Sequence, residues 1–184
     1  MRTAMRPLAN AAAAAAAAAT LLVSGCASAP PRLAGEAPWT SGRLSVRIEA
    51  TPAQMAQSMS AAFDLRAQAD SGELRLNTPL GTRVATARWS PGEAVLVTSE
   101  GERRFDDLQM LSRQALGEAL PLEALPDWLA GRPWARASSS NTENGFEQLG
   151  WLVNTSRRKE GLIEATRAAP PAVAVRVRLD ETTP

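Results

Sequence analysis

The sequence predicts a mainly β domain with a small helical part. It reads as an antiparallel meander that curls into a barrel or half-barrel, with one opening covered by a short helical lid. Three observations predict this. Apolar residues recur at every second position in several segments. Turn-forming residues separate those segments at short intervals. One central stretch changes from a period of two to helical spacing.

The first 25 residues stand outside that domain. Arg2 and Arg6 supply positive charge, and Leu8 to Val23 form an apolar run that includes unbroken alanine from Ala11 to Ala19. This is the pattern of an export signal, too short and too alanine-rich for a good membrane span. Leu22-Val23-Ser24-Gly25-Cys26 ends it at the only cysteine, the pattern of a bacterial lipoprotein. Residues 1–25 are therefore expected to be cleaved, and Cys26 to carry acyl chains. Residues 26–38, rich in Ala, Ser, Pro and Gly, have tether composition. Residues 39–184 are left as the folded domain. Losing Arg2 and Arg6 takes the formal charge from +1 to −1, so nothing in the balance points to nucleic acid. An acylated Cys26 leaves no thiol for a disulfide, and the domain must be stable through its core.

The strands follow in order. Leu44, Val46 and Ile48 alternate with Arg43, Ser45 and Arg47. Met59, Ala61, Phe63 and Leu65 share one face, and Leu74 and Leu76 flank Arg75. Asp70-Ser71-Gly72, Pro79-Leu80-Gly81, Ser90-Pro91-Gly92 and Glu100-Gly101-Glu102 mark the turns. The helical stretch begins at Asp106 or Asp107, either of which can cap it, and continues through Leu108, Leu111, Ala115 and Leu116. Pro121 interrupts it. A second short helix places Leu122, Leu125, Trp128 and Leu129 on one side and ends at Gly131. Three more strands are expected, at 145–154, 161–167 and 172–180. In the last, Val173, Val175, Val177 and Leu179 oppose Arg176 and Arg178.

The side-chain inventory argues against an enzyme. Histidine and tyrosine are absent, which removes the commonest general base and the usual partner of a nucleophilic serine. With Cys26 given to lipid, a metal site would have only carboxylates. Lys159, the only lysine, lies in Arg157-Arg158-Lys159, which reads as a solvated turn, with contact to lipid head groups as the alternative. Paired carboxylates for glycoside chemistry remain open, although Asp106-Asp107 is better explained as a helix start. Five tryptophans, at 39, 89, 128, 134 and 151, suit either core packing or the wall of an apolar cavity.

Four patterns in order carry a family resemblance: Leu76-Asn77-Thr78-Pro79-Leu80-Gly81, Leu120-Pro121-Leu122-Glu123-Ala124-Leu125, Trp128-Leu129-Ala130-Gly131-Arg132-Pro133 and Gln148-Leu149-Gly150-Trp151. Behind a lipoprotein signal, they resemble the outer-membrane lipoprotein receptor family LolB over about residues 39–179. The chain departs from the family in the arginine-rich stretch after Trp151. It also ends in Asp180-Glu181-Thr182-Thr183-Pro184, without the tryptophan often seen there.

The resemblance implies a half-open antiparallel β-barrel covered by helices around a hydrophobic cavity. It implies a monomer without cofactor or metal that takes lipoproteins from the periplasmic carrier LolA and inserts them into the outer membrane of a Gram-negative bacterium. Ala27, where inner-membrane lipoproteins commonly carry Asp, fits that destination. Pro79, Leu80 and Gly81 would be the loop that hands cargo to the membrane. Their setting suits a type I turn with an apolar tip, which either folds back on its hairpin or stands free. Trp39, Phe63, Leu65, Leu111, Trp128, Leu129 and Trp151 are the candidates for contact with acyl chains, with core packing as the alternative for each. A generic lipid or glycolipid carrier, and a structural lipoprotein that docks by a sheet edge, are the competing readings.

Overall fold

A computed structural model describes residues 37–181. The expected signal, Cys26 with its expected acylation and the expected tether up to Glu36 lie outside the described residues. Six strands come first: β1 (Thr40–Ile48), β2 (Gln57–Gln68), β3 (Ser71–Asn77), β4 (Arg83–Ser90), β5 (Glu93–Thr98) and β6 (Gly101–Phe105). The helices α1 (Leu108–Leu116) and α2 (Leu125–Leu129) follow. Five strands complete the domain: β7 (Ser139–Thr142), β8 (Gly145–Gln148), β9 (Trp151–Asn154), β10 (Leu162–Arg167) and β11 (Val173–Leu179).

Among the described residues, all eleven strands join one antiparallel sheet, ordered β6-β5-β4-β3-β2-β1-β11-β10-β9-β8-β7. The first and last strands of the domain pair in the middle of it, from Gly42 opposite Leu179 to Ile48 opposite Val173. The free edges are β6 and β7, which are consecutive strands in the chain. Closing the barrel would require those two to pair, but the helical segment lies between them. The result is a half-open barrel whose helices cover the concave side.

The concave face carries the stripe that the alternation predicts. Leu44, Val46 and Ile48 on β1, Phe63 and Leu65 on β2, and Val173 and Val177 on β11 are all buried in one core. On α1, Leu108 and Leu111 are buried and the helix packs on β5 and β6. Asp107 caps it, its carboxylate accepting from the Met110 N–H at 2.7 Å.

Two expectations about the late strands need correction. The segment 145–154 is a hairpin, β8 and β9, and not one strand. Leu149 (φ 54°) and Gly150 (φ 75°) are both left-handed, the backbone of a two-residue hairpin turn that matches strand twist. A leucine in that conformation is uncommon, so its identity gives no turn signal. The strand β7 is an addition to the expected three. Its Ser139-Ser140-Asn141-Thr142 is polar and exposed throughout, and no apolar alternation announces it.

Candidate functional site

Beneath the helices the sheet encloses a cavity of about 490 Å³. This lies within the range of about 300–1,000 Å³ occupied by small-molecule sites. Strand residues such as Leu44, Val46, Leu74, Leu96 and Val177 form its floor, and Leu111, Leu116, Leu125, Trp128 and Leu129 form its roof. Most of the lining is hydrocarbon. The exposed members of the lining are Val84, Arg103, Gln114 and Ala115, which place the mouth between α1 and the β4–β6 end of the sheet.

Val84 reaches this cavity because the pairing of β3 with β4 is irregular. Leu76 faces Ala85 while Asn77 faces Arg83, which leaves Val84 unpaired in a bulge. A bulge re-aims one side chain, and here it points a valine into the mouth, four positions after Leu80.

The loop between β3 and β4 closes with the Gly81 N–H donating to the Thr78 carbonyl at 2.9 Å. The Thr82 N–H donates to the Thr78 hydroxyl at 3.1 Å, and the Thr78 N–H to the Thr82 carbonyl at 2.8 Å. Gly81 takes the left-handed conformation (φ 85°) that lets the strand resume. With the backbone held in this way, Leu80 stands 95% exposed. Of the two dispositions open for this leucine, the structure has it standing free.

The roof is held by one side chain that sequence reasoning passed over. Gln148, at the end of β8, is 2% exposed. Its Oε1 accepts from Trp128 Nε1 at 2.9 Å and from the Trp134 N–H at 2.8 Å. Its Nε2 donates to the carbonyls of Trp134 and Ala137, both at 2.8 Å. A buried amide with both ends satisfied fixes the helical segment to the sheet. Trp128 also packs on Trp151, with ring centroids 6.1 Å apart, and edge-on to Phe146 at 6.4 Å. The motif Gln148-Leu149-Gly150-Trp151 thus supplies a polar pin, a tight turn and an aromatic platform. Only its place in that motif could have pointed to the glutamine. Arg158 adds a second fastening, its Nε donating to the Leu129 carbonyl at 3.0 Å, where the α2 dipole favours a cation.

Of the seven cavity candidates, Leu111, Trp128, Leu129 and Trp151 line the space. Trp39, Phe63 and Leu65 do not. Phe63 and Leu65 are on the concave face but are consumed by packing. The Phe63 ring lies over Gly42, where an added Cβ would come within 3.0 Å of it, and α2 packs on β2. Trp39 lies on the convex face, 38% exposed. The guanidinium groups of Arg75 and Arg66 sit 4.1 and 4.5 Å from its ring centre.

Those arginines belong to an ionic cluster on the outside of the sheet. Glu73, 1% exposed, accepts from Arg75 Nε at 2.7 Å and Arg66 at 3.0 Å, with Arg88 at 3.9 Å. Burial pushes its carboxyl up. The hydrogen bonds and charges of Arg75 and Arg66 more than offset this, so it sits below the usual carboxylate range. Glu123 shifts the other way, raised by burial with a further push from Asp107 and opposed by its own backbone N–H.

Fold and site together define a half-barrel protein with an internal apolar cavity roofed by helices and opening beside a projecting loop. Residues 39–180 match the family described as "Outer membrane lipoprotein LolB". The chain belongs to that family. It is 33% identical over 146 residues to the outer-membrane lipoprotein LolB of Chromobacterium violaceum, covering 74% of this chain and 78% of that one. The LolB of Bordetella petrii is 30% identical over 163 residues, 81% of each chain. That of Ralstonia nicotianae is 33% identical over 150 residues, 72% of this chain and 70% of its own.

Proposed function

We propose that the protein is an outer-membrane lipoprotein receptor. Anchored through acylated Cys26 and facing the periplasm, it accepts lipoproteins from the carrier LolA and inserts them into the membrane. The observation that carries this reading is a leucine standing free beside the mouth of an apolar cavity of about 490 Å³. An acyl chain in the cavity is stabilised by about 0.8 kcal/mol per buried CH₂, the same driving force that seats it in a bilayer. Transfer between such sites needs no chemical step. Binding in the cavity and release at the loop can therefore be separate functions of nearby residues, with Pro79, Leu80 and Gly81 serving release.

The test is a transfer assay. LolA loaded with a lipoprotein is mixed with the chain from residue 27 onward, as wild type or Leu80→Glu, and then with liposomes. Cargo is expected to move to both proteins and to enter liposomes only from wild type. Equal insertion by both would remove the role of the loop. Failure of cargo to reach either protein would leave a generic lipid carrier as the better account.

A further inference from the structure

The convex face carries a second hollow that cargo binding leaves unused. A groove of about 360 Å³ crosses β2, β1, β11 and β10. Arg43, Arg157, Arg176 and Arg178 line it, with Ser45, Ser60, Pro79 and one carboxylate, Glu164. Pro79 precedes Leu80, so the groove is continuous with the projecting loop.

Two of these cations are already paired. Arg176 Nε lies 2.9 Å from Glu164, and Arg157 donates twice to one oxygen of Glu160, at 3.0 and 2.7 Å. Arg43 and Arg178 take part in none of the ion pairs among the described residues. They are nonetheless direct partners across β1 and β11, both exposed. Like charges placed opposite each other in an antiparallel pair are unfavourable. Their other cross-strand neighbours offer no relief, since Arg43 faces Ala62 and Arg178 faces Leu162. The carboxylate of Asp64 nearby is engaged by Ser41 and Asn77. An anion bound between the two guanidinium groups would turn this repulsion into a site.

We propose that the groove binds the phosphate of anionic phospholipid headgroups and so holds the convex face on the membrane with the Leu80 loop toward the bilayer. Guanidinium groups match phosphate oxygens with paired hydrogen bonds, and the serine hydroxyls can donate to the oxygens that remain. Arginines near an anionic membrane surface each add an attraction that salt weakens. The role given to the loop rests on the receptor reading, whereas the headgroup site stands on the groove alone.

The experiment is co-flotation with vesicles, using the chain from residue 26 onward with Cys26→Ser. The core of the domain lies wholly between Leu44 and Val177, so this chain keeps it intact. Vesicles are phosphatidylcholine alone or phosphatidylcholine with phosphatidylglycerol. Wild type is expected to prefer the anionic vesicles by about tenfold or more at low salt and to lose that preference at high salt. Arg43→Gln with Arg178→Gln should bind both vesicle types alike, while thermal melting and fatty-acyl binding stay as in wild type. Arg43→Lys with Arg178→Lys should keep most of the preference and guards against a folding defect in the glutamine pair. Leu80→Glu should keep the anionic preference and fail only in insertion, which separates this site from the loop. Equal binding of both vesicle types by wild type, or an undiminished preference in the glutamine variant, overturns the proposal. A preference that survives alongside failed cargo transfer would sink the receptor reading and leave the headgroup site standing.

Discussion

The two faces of one sheet solve different problems with the same strands. The concave face is aliphatic and keeps a hollow under the helices. The convex face buries a carboxylate among arginines and presents paired guanidinium groups to its surroundings. Along β1 the contrast changes at every residue: Leu44, Val46 and Ile48 go inward, and Arg43, Ser45 and Arg47 go outward. The lesson concerns register. A shift of one residue would place arginines in the cavity and leucines outside, so the alternation that folds the sheet also creates both surfaces.

The roof is where the contrast breaks most severely. Gln148→Leu keeps the volume of the side chain but leaves the Trp128 and Trp134 N–H groups and the Ala137 carbonyl without a partner, while the Trp134 carbonyl keeps the Ala137 N–H at 3.4 Å. Each unsatisfied buried group costs about 1–3 kcal/mol, so the expected loss is about 3 kcal/mol or more. Urea unfolding would measure it. Fatty-acyl binding should fall in parallel, because the same amide positions Trp128 over the cavity. A variant as stable as wild type would show that the helices are held by packing alone.

The convex face is next. Glu73→Gln should cost about 2 kcal/mol at neutral pH, less than for a fully buried pair because its arginines reach water. The sign with pH follows from the lowered carboxyl. Its contribution is present above the unfolded carboxylate value, about 4.3, and is lost as pH falls through the native value. Wild type should therefore lose stability below about pH 4.3 through this group, and the glutamine variant should not. Glu123, raised in the fold, contributes in the opposite direction as pH falls. The difference between wild type and Glu73→Gln isolates Glu73. Identical acid profiles for the two would mean that its arginines do not stabilise the native carboxylate.

How much of this could be read beforehand differs between the faces for a physical reason. Concave strands announce themselves, because burial selects apolar residues at every second position. From that pattern came the meander, and from helical spacing and an N-cap came the lid. The convex cluster sends no such signal, since Glu73, Arg75 and Arg88 look like ordinary solvated positions until the sheet curls and brings them together. Trp39 misled in the opposite sense. An aromatic residue suggests an interior, yet its place before Thr40 puts it on the outer phase of β1, beneath two arginines. The bulge at Val84 and the left-handed Leu149 depend on pairing between strands, which single-strand alternation does not encode.

The cavity can be tested without touching stability. Ala85 lines it and is partly buried. Ala85→Phe would project a ring into open space near Val84, so overpacking costs little. Melting should be nearly unchanged, while affinity for a fatty-acyl probe falls about tenfold, roughly the loss of two buried CH₂ groups. Unaltered affinity would move the ligand away from this end of the hollow.

The smallest expected effect on stability is at Leu80. A side chain 95% exposed has almost no packing to lose. Its turn is held by the backbone of Thr78, Gly81 and Thr82 and by the Thr78 hydroxyl, none of which involves the leucine side chain. Leu80→Glu should therefore change unfolding free energy by less than about 0.5 kcal/mol, as for most surface positions. The same change puts a charge on the most exposed large apolar side chain among the described residues. If melting curves coincide and acyl binding is unchanged while insertion is lost, the leucine acts outside the fold, on the membrane. A destabilised variant would instead mean that Leu80 supports its own hairpin, and loss of insertion could no longer be credited to contact with lipid.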